Sequence, residues 1–263
     1  MLGSPIGHSL SPVLHRAAYA ALDLDWEYDA REVRADSLPD FLGSLDDTWR
    51  GLSLTMPLKR AVVPLLDVMS DRATQARAAN TVVLDRPGGA LRRIGHNTDI
   101  PGAAAALRER YAGPVERVTV VGGGATAASV LLGLTDLGCR SATVLVRDEG
   151  RATETLAAAA RHPTPPAVEV RPLGSDVPPA DVLVSTIPAV AQAGHEGLVA
   201  GVAAVFDAIY APWPTPFATA ANGVGAVVVG GLDLLVHQAL LQIELMTGRT
   251  VSLGILRAAL PVA

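Results

Sequence analysis

The chain has 263 residues, 49% hydrophobic and 18% charged, enough apolar material for a sizeable core and too much for a disordered polymer. Its net charge of -5 argues against non-specific binding to nucleic acid or an anionic membrane surface. Cys139 is the only cysteine, so no intrachain disulfide can form and the composition fits a reducing cytoplasm.

Apolar runs alternate with helical patterns, which predicts an α/β protein. The start, Met1-Leu2-Gly3, leaves room for only a very short first strand before Pro5, unless the chain begins a few residues earlier. Ser11-Pro12 reads as the opening of a helix to about Leu22. A strand is expected from Trp26 to Val33, then a short helix from Asp36 or Ser37 to Leu45, and a buried strand from Gly51 to Thr55. Ser70 begins a polar helix ending near Ala79. Thr81–Leu84 and Leu91–Ile94 flank Arg86-Pro87-Gly88-Gly89 as a hairpin.

A helix follows from about Ile100 to Tyr111. Val118-Thr119-Val120-Val121 is a continuous β-branched strand, as in a parallel sheet covered on both faces. It runs into Gly122-Gly123-Gly124 and a small-residue helix to Leu137. Further strands are expected at Ala142–Val146, Val168–Arg171, Asp181–Ser185, Ala203–Asp207 and Gly225–Val229. A long helix, Leu232–Thr247, and a short one, Leu253–Leu260, close the chain. Alanine bias at Ala157–Ala160 and proline bias at Pro163–Pro166 are the extent of low complexity, and the second reads as a surface loop.

No apolar run approaches a membrane span, no basic segment leads into an apolar leader, and the histidines lack paired ligand spacing, so neither a signal peptide nor a metal site is expected.

Lys59 is the only lysine among 21 basic residues. A guanidinium stays protonated at any working pH, whereas an ammonium can give up its proton, so Lys59 is a candidate for proton transfer. Its bland alternative is a surface cation in an arginine-rich sequence.

Gly122-x-Gly124-x-x-Ala127 follows a strand and opens a helix. Gly122 permits a tight turn, Gly124 lets the backbone approach a pyrophosphate, and Ala127 allows close packing of helix on strand. The helix N-terminus would supply amide donors to phosphate. After the next strand comes Val146-Arg147-Asp148-Glu149-Gly150-Arg151. Arg147 and Arg151 suit the 2′-phosphate of NADP, and Asp148 leaves NAD open, since an acidic residue there can bind a ribose hydroxyl.

Further motifs stand in a fixed order: Ser9-x-Ser11-Pro12, Thr55-x-Pro57-x-Lys59, Ala79-Asn80-Thr81 and Asn97-Thr98-Asp99. After the glycine turn come Asp207-Ala208-Ile209-Tyr210-x-Pro212, Thr215-Pro216, and Gly231 through Gln238-Ala239. This series resembles the shikimate dehydrogenase family along nearly the whole chain.

The resemblance implies an N-terminal α/β substrate domain, residues 1–101 with 233–263, and a Rossmann-like NADP-binding domain, residues 102–232. A C-terminal helix returns to the first domain, and the active site is a cleft between the two. It implies reversible, NADPH-dependent reduction of 3-dehydroshikimate to shikimate, a step in aromatic amino-acid biosynthesis. Ser9 and Ser11 match serines that bind the substrate carboxylate. Thr55, Asn80 and Gln238 match groups that hydrogen-bond the ring substituents, Tyr210 a tyrosine near the carboxylate, and Lys59 and Asp99 the catalytic pair. Gly122, Gly124, Ala125, Ala127, Arg147, Arg151, Ile187, Gly231 and Leu234 are the expected cofactor contacts, with Leu234 facing the nicotinamide. The partner is thus a small molecule, with neither nucleic acid nor membrane, and a homodimer is left open.

The chain departs from the family pattern in four places. Ser53-Leu54-Thr55 replaces Asn-Val-Thr, so an amide contact is lost or replaced by a hydroxyl. Val146-Arg147-Asp148 replaces Asn-Arg-Thr. Ser185-Thr186-Ile187-Pro188 replaces Asn-Ala-Thr-Pro and lacks the Gly-Met that usually follows, which points to a different nucleotide contact from the loop Ala189–Gly197. Asp233 stands for a glycine and Leu234 for a methionine. The competing readings are an NAD-dependent quinate/shikimate dehydrogenase and a catalytically silent ligand-binding paralogue.

Overall fold

The computed structural model describes residues 1–261. The chain divides into two compact units, Met1–Thr98 with Leu235–Ala263, and Asp99–Leu234.

In the first unit, α1 (Ser11–Ala21), with Pro12 in its first turn, joins two short parallel strands, β1 (Leu2–Gly3) and β2 (Arg31–Glu32). The expected strand Trp26–Val33 is therefore reduced to two residues. Its partner β1 is only two residues long, and the preceding aromatics turn inward instead: Tyr28 stacks on His15 and Trp26 meets Tyr19 edge-on. After α2 (Leu38–Gly43) comes β3 (Gly51–Ser53), then α3 (Leu58–Ala61), β4 (Val68–Met69) and α4 (Asp71–Ala76). The α4 helix stops short of Ala79 because Arg77 adopts a left-handed conformation, φ 45°. β5 (Thr81–Asp85) and β6 (Arg92–His96) form the expected antiparallel hairpin. The sheet order is β3-β5-β6-β4, and Leu54 bridges back to Leu2, linking β1 to the end of β3. Leu2, Leu38, Leu52, Leu58, Val62 and Val82 are buried at its core.

The second unit opens with α5 (Asp99–Arg110). Its β-branched runs form a six-stranded parallel sheet: β7 (Arg117–Val121), β8 (Ser141–Val146), β9 (Ala167–Pro172), β10 (Val182–Ser185), β11 (Ala204–Asp207) and β12 (Val227–Val229). The spatial order β12-β11-β10-β7-β8-β9 reverses between β7 and β10. Such a switch point leaves a crevice at the carboxyl ends of those two strands, where ligands bind. Helix α6 (Ala125–Asp136) packs on α5 and on α7 (Thr153–Ala160). The alanine-rich stretch thus lies inside α7, and α8 (Pro216–Val224) follows β11.

Helix α9 (Gly231–Thr247) begins in the second unit and ends in the first, where α10 (Leu253–Ala259) packs on α1. Among the described residues, no helix is long and apolar enough to cross a membrane, and no group of His, Cys, Asp and Glu is arranged to hold a metal.

Candidate active site

Two loops lie side by side at the carboxyl ends of β1 and β3. The amide of Ser4 donates to the Met56 carbonyl at 3.0 Å and that of Thr55 to the Leu2 carbonyl at 2.9 Å. Leu58 N–H then closes a turn onto the Thr55 carbonyl, 2.7 Å, and starts α3, which carries half-buried Lys59. On the first loop Ser11 begins α1, and its amide donates to Ser9 Oγ at 3.4 Å. No side chain caps α1 and its first turn holds no acidic residue. Its positive end therefore carries two serine hydroxyls and no acidic side chain, a setting that suits a carboxylate.

Asn80, almost fully buried, is the node of this unit. One residue earlier, the Ala79 amide donates to the Lys59 carbonyl at 2.8 Å, tying α3 to the start of β5. The Asn80 Oδ1 accepts from the Thr98 amide at 2.8 Å; Nδ2 reaches Thr98 Oγ1 at 2.9 Å and Gln238 Oε1 at 3.4 Å. Asn97 donates to the Ala78 carbonyl at 3.0 Å. The backbone entering Asp99, the buried first residue of α5, is thus held from two sides. Lys59, Asn80, Thr98 and Gln238 are gathered around one end of β5 although 179 positions separate the first from the last.

In the second unit Gly122 follows β7 with φ +117°, a left-handed conformation that favours glycine. A Cβ there would lie 2.3 Å from Thr186 Oγ1 and 3.3 Å from Ile187 Cγ2, so the turn after β7 presses on the segment after β10, at the switch point. The middle glycine, not singled out from sequence, is equally constrained: a Cβ on Gly123 would lie 2.3 Å from the Arg151 carbonyl oxygen. Gly124 has open space where its Cβ would be. No side chain caps α6, no acid occupies its first turn, and Ala127 is buried beneath it while Ala125 is half-buried. Gly124, exposed and standing at a helix N-terminus that no side chain caps, fits the approach of a pyrophosphate.

Arg147 and Arg151 are exposed beyond β8. Asp148 between them caps the 3-10 turn Glu149–Ala152, its Oδ1 accepting from the Gly150 amide at 2.8 Å. That bond gives Asp148 a local structural role.

Half-buried Tyr210 sits in a loop organised by Asp207, the last residue of β11. The Asp207 carboxylate accepts from the Ile209 amide at 3.1 Å, Thr215 Oγ1 at 2.6 Å and Gln192 Nε2 at 2.9 Å. Burial pushes its carboxyl up, and these three donors oppose that shift. Gln192 also donates to Ser185 Oγ at 3.0 Å and accepts from the Phe217 amide at 3.0 Å. Sequence reasoning flagged the Ala189–Gly197 loop but not Gln192, which is fully buried there. Its only sequence signal is an uncharged polar residue in a small-residue stretch.

At the start of α9 a Cβ on Gly231 would lie 2.6 Å from the Ala208 carbonyl oxygen, so glycine is needed for the helix to approach the strand leading to Tyr210. Leu234 is packed into the core of this unit with Val229 and Ala103, with 7% of its surface exposed, a small face for the expected nicotinamide contact.

The strand order, the glycine turn at the switch point and the uncapped helix define the second unit as a Rossmann-like, dinucleotide-binding fold. With a first unit that gathers hydroxyls and amides around a lone lysine, the class is that of two-unit nucleotide-dependent oxidoreductases. Residues 1–82 match the shikimate dehydrogenase substrate binding domain and residues 231–260 the shikimate 5'-dehydrogenase C-terminal domain. The shikimate dehydrogenase (NADP(+)) of Synechocystis sp. is 34% identical, over 99% of this chain and 93% of the relative. The crystal structure of Mycobacterium tuberculosis shikimate dehydrogenase is similar with a TM-score of 0.88 and 39% identity, over 98% of this chain and 96% of that one. Quinate dehydrogenase from Corynebacterium glutamicum, in complex with NAD, gives a TM-score of 0.82 and 27% identity, over 98% and 96%. The chain belongs to the shikimate dehydrogenase family.

Proposed function

We propose that Lys59 and Asp99 are the proton-transfer pair of an NADP-dependent shikimate dehydrogenase, an enzyme that interconverts 3-dehydroshikimate and shikimate. The first unit is the substrate domain and the second the nucleotide domain. The observation that carries the reading is the Asn80 node. One bond beside it fixes α3 under Lys59, and its own side chain fixes Thr98, the residue before Asp99.

Ser9 and Ser11, at the uncapped end of α1, bind the substrate carboxylate, with Tyr210 completing that end. Thr55, Asn80 and Gln238 hydrogen-bond the ring hydroxyls. The Gly122–Gly124 turn, with Ala125 and Ala127 at the head of α6, Ile187 beside it and Gly231 and Leu234 at the start of α9, holds the cofactor, and Arg147 and Arg151 hold its 2′-phosphate. NADPH, when bound there, supplies the hydride that reduces the ketone carbon. The Lys59 ammonium gives its proton to the ketone oxygen as that oxygen becomes a hydroxyl. Asp99 accepts a hydrogen bond from the same hydroxyl and favours the protonated lysine. The quinate/NAD reading would need Asp148 as a ribose ligand; the cap it makes to Gly150 favours the arginines instead.

Lys59→Arg tests the pair, because it keeps the charge and removes a transferable proton. We expect kcat to fall by about 10²–10⁴-fold, with the KM for shikimate within a few-fold of wild type. Near-normal turnover would rule out proton donation by Lys59.

A further inference from the structure

Ser53 stands where the family pattern has an asparagine, on the strand that leads to Thr55. Its hydroxyl is not idle. Ser53 Oγ donates to Gln242 Oε1 at 2.7 Å, a partner 189 residues away on α9. The same oxygen lies 3.2 Å from His15 Nε2 on α1. On its other side, Gln242 Nε2 donates to the Asn80 backbone carbonyl at 3.3 Å, which also accepts from the Leu54 amide at 2.7 Å. Gln242 is one helical turn beyond Gln238, so α9 presents two amides to Asn80: Gln238 meets its side chain and Gln242 its backbone.

The surroundings fix how Gln242 sits. His15 has no exposed surface and stacks on Tyr28 with centroids 4.0 Å apart. Burial pulls its pKa down to about 3, against the pull of its bond to Gln242, so the ring is neutral at neutral pH. With Nδ1 facing the Tyr19 hydroxyl at 3.5 Å, Nε2 carries the proton and donates to Gln242. Both lone pairs of Gln242 Oε1 are thus filled and its amide has one orientation. Ser11 and Ser53 lie beside the buried Tyr28 hydroxyl without a well-formed bond to it, so they do not substitute for this link.

We infer that Gln242 is a positioning residue for the substrate site, supplying from α9 the amide that residue 53 lacks and thereby holding α1, β3 and β5 in register. Ser11 opens α1, Thr55 lies two residues beyond β3, and Asn80 immediately precedes β5. The inference rests on the reading of the first unit as the substrate domain. It predicts that Ser53 and Gln242 are coupled, and that their loss is felt by shikimate and not by NADP.

Gln242→Met, which keeps the volume, and Gln242→Ala test this, alone and with Ser53→Asn, which returns an amide from β3. Losing the link leaves the Asn80 carbonyl and Ser53 hydroxyl short of partners, and we expect the KM for shikimate to rise by about tenfold. The KM for NADP should stay within about twofold, since Gln242 and its partners His15, Ser53 and Asn80 all belong to the first unit. The Gln242→Ala/Ser53→Asn double variant should recover most of the loss. A lower Tm with unchanged shikimate KM, or a double variant no better than Gln242→Ala, would overturn the inference. Wild type inactive on shikimate would strike the functional reading instead. Gln242 would then be judged by Tm across the Ser53/Gln242 double-mutant cycle, where additive effects overturn the coupling and non-additive ones sustain it.

Discussion

Lys59 differs from every other long cationic side chain in the molecule in being able to release its proton, and it stands on a helix whose backbone is tied to the residue before Asn80. That chemical distinction was readable from composition. The partners that position it were not, because Asn80, Thr98 and Gln238 meet only once β5, β6 and α9 are folded. The cofactor side shows the same division. The need for glycine at 122 was legible from a strand–turn–helix pattern, whereas that at 123 depends on the Arg151 carbonyl, which no local pattern announces. Arg147 is exposed, while Asp148 is engaged as a cap. Arg147→Ala should therefore raise the KM for NADP by about 10–100-fold, the worth of a hydrogen bond to a charged group, with far less effect on NAD. Equal effects on both nucleotides in steady-state kinetics would make Arg147 merely structural.

At the scale of elements, the start of α9 shows how a departure from the family pattern is absorbed. Asp233 Oδ2 accepts from the Gly230 amide at 3.0 Å, closing the helix N-terminus. Its carboxylate also holds Arg110 at the end of α5 through two bonds, Nε to Oδ2 and Nη2 to Oδ1, both 2.8 Å. Asp233→Ala removes cap and ion pair together and should cost about 1–3 kcal/mol, a fall of several degrees in Tm. Asp233→Asn, which keeps an acceptor for the cap, should fall between the two; a Tm unchanged in the alanine variant would remove Asp233 from the account. Elements with strong local signals, such as α1, the β5–β6 hairpin and the strands of the parallel sheet, follow the expected pattern closely. One set by a distant partner does not: β2 is cut to the length of β1. Helices α3 and α8 are marked by a proline at their start, with Thr215 capping α8.

For the whole molecule, alternation of apolar runs and helices foretold an α/β fold, and the order β12-β11-β10-β7-β8-β9 makes the second unit's crevice follow from topology. The buried amides Gln192 and Gln242 were not legible. Each takes partners from separate stretches of chain, and neither has a charge or a spacing that marks it. Both bond to residues where the chain departs from the family pattern, Gln192 to Ser185 and Gln242 to Ser53.

The account is tested most directly by initial rates of nicotinamide reduction in a two-by-two grid, shikimate or quinate with NADP or NAD. It predicts that shikimate with NADP gives the highest kcat/KM of the four. Higher efficiency with quinate would contradict it at the substrate, and higher efficiency with NAD would contradict it at the cofactor and make Asp148 the ribose ligand.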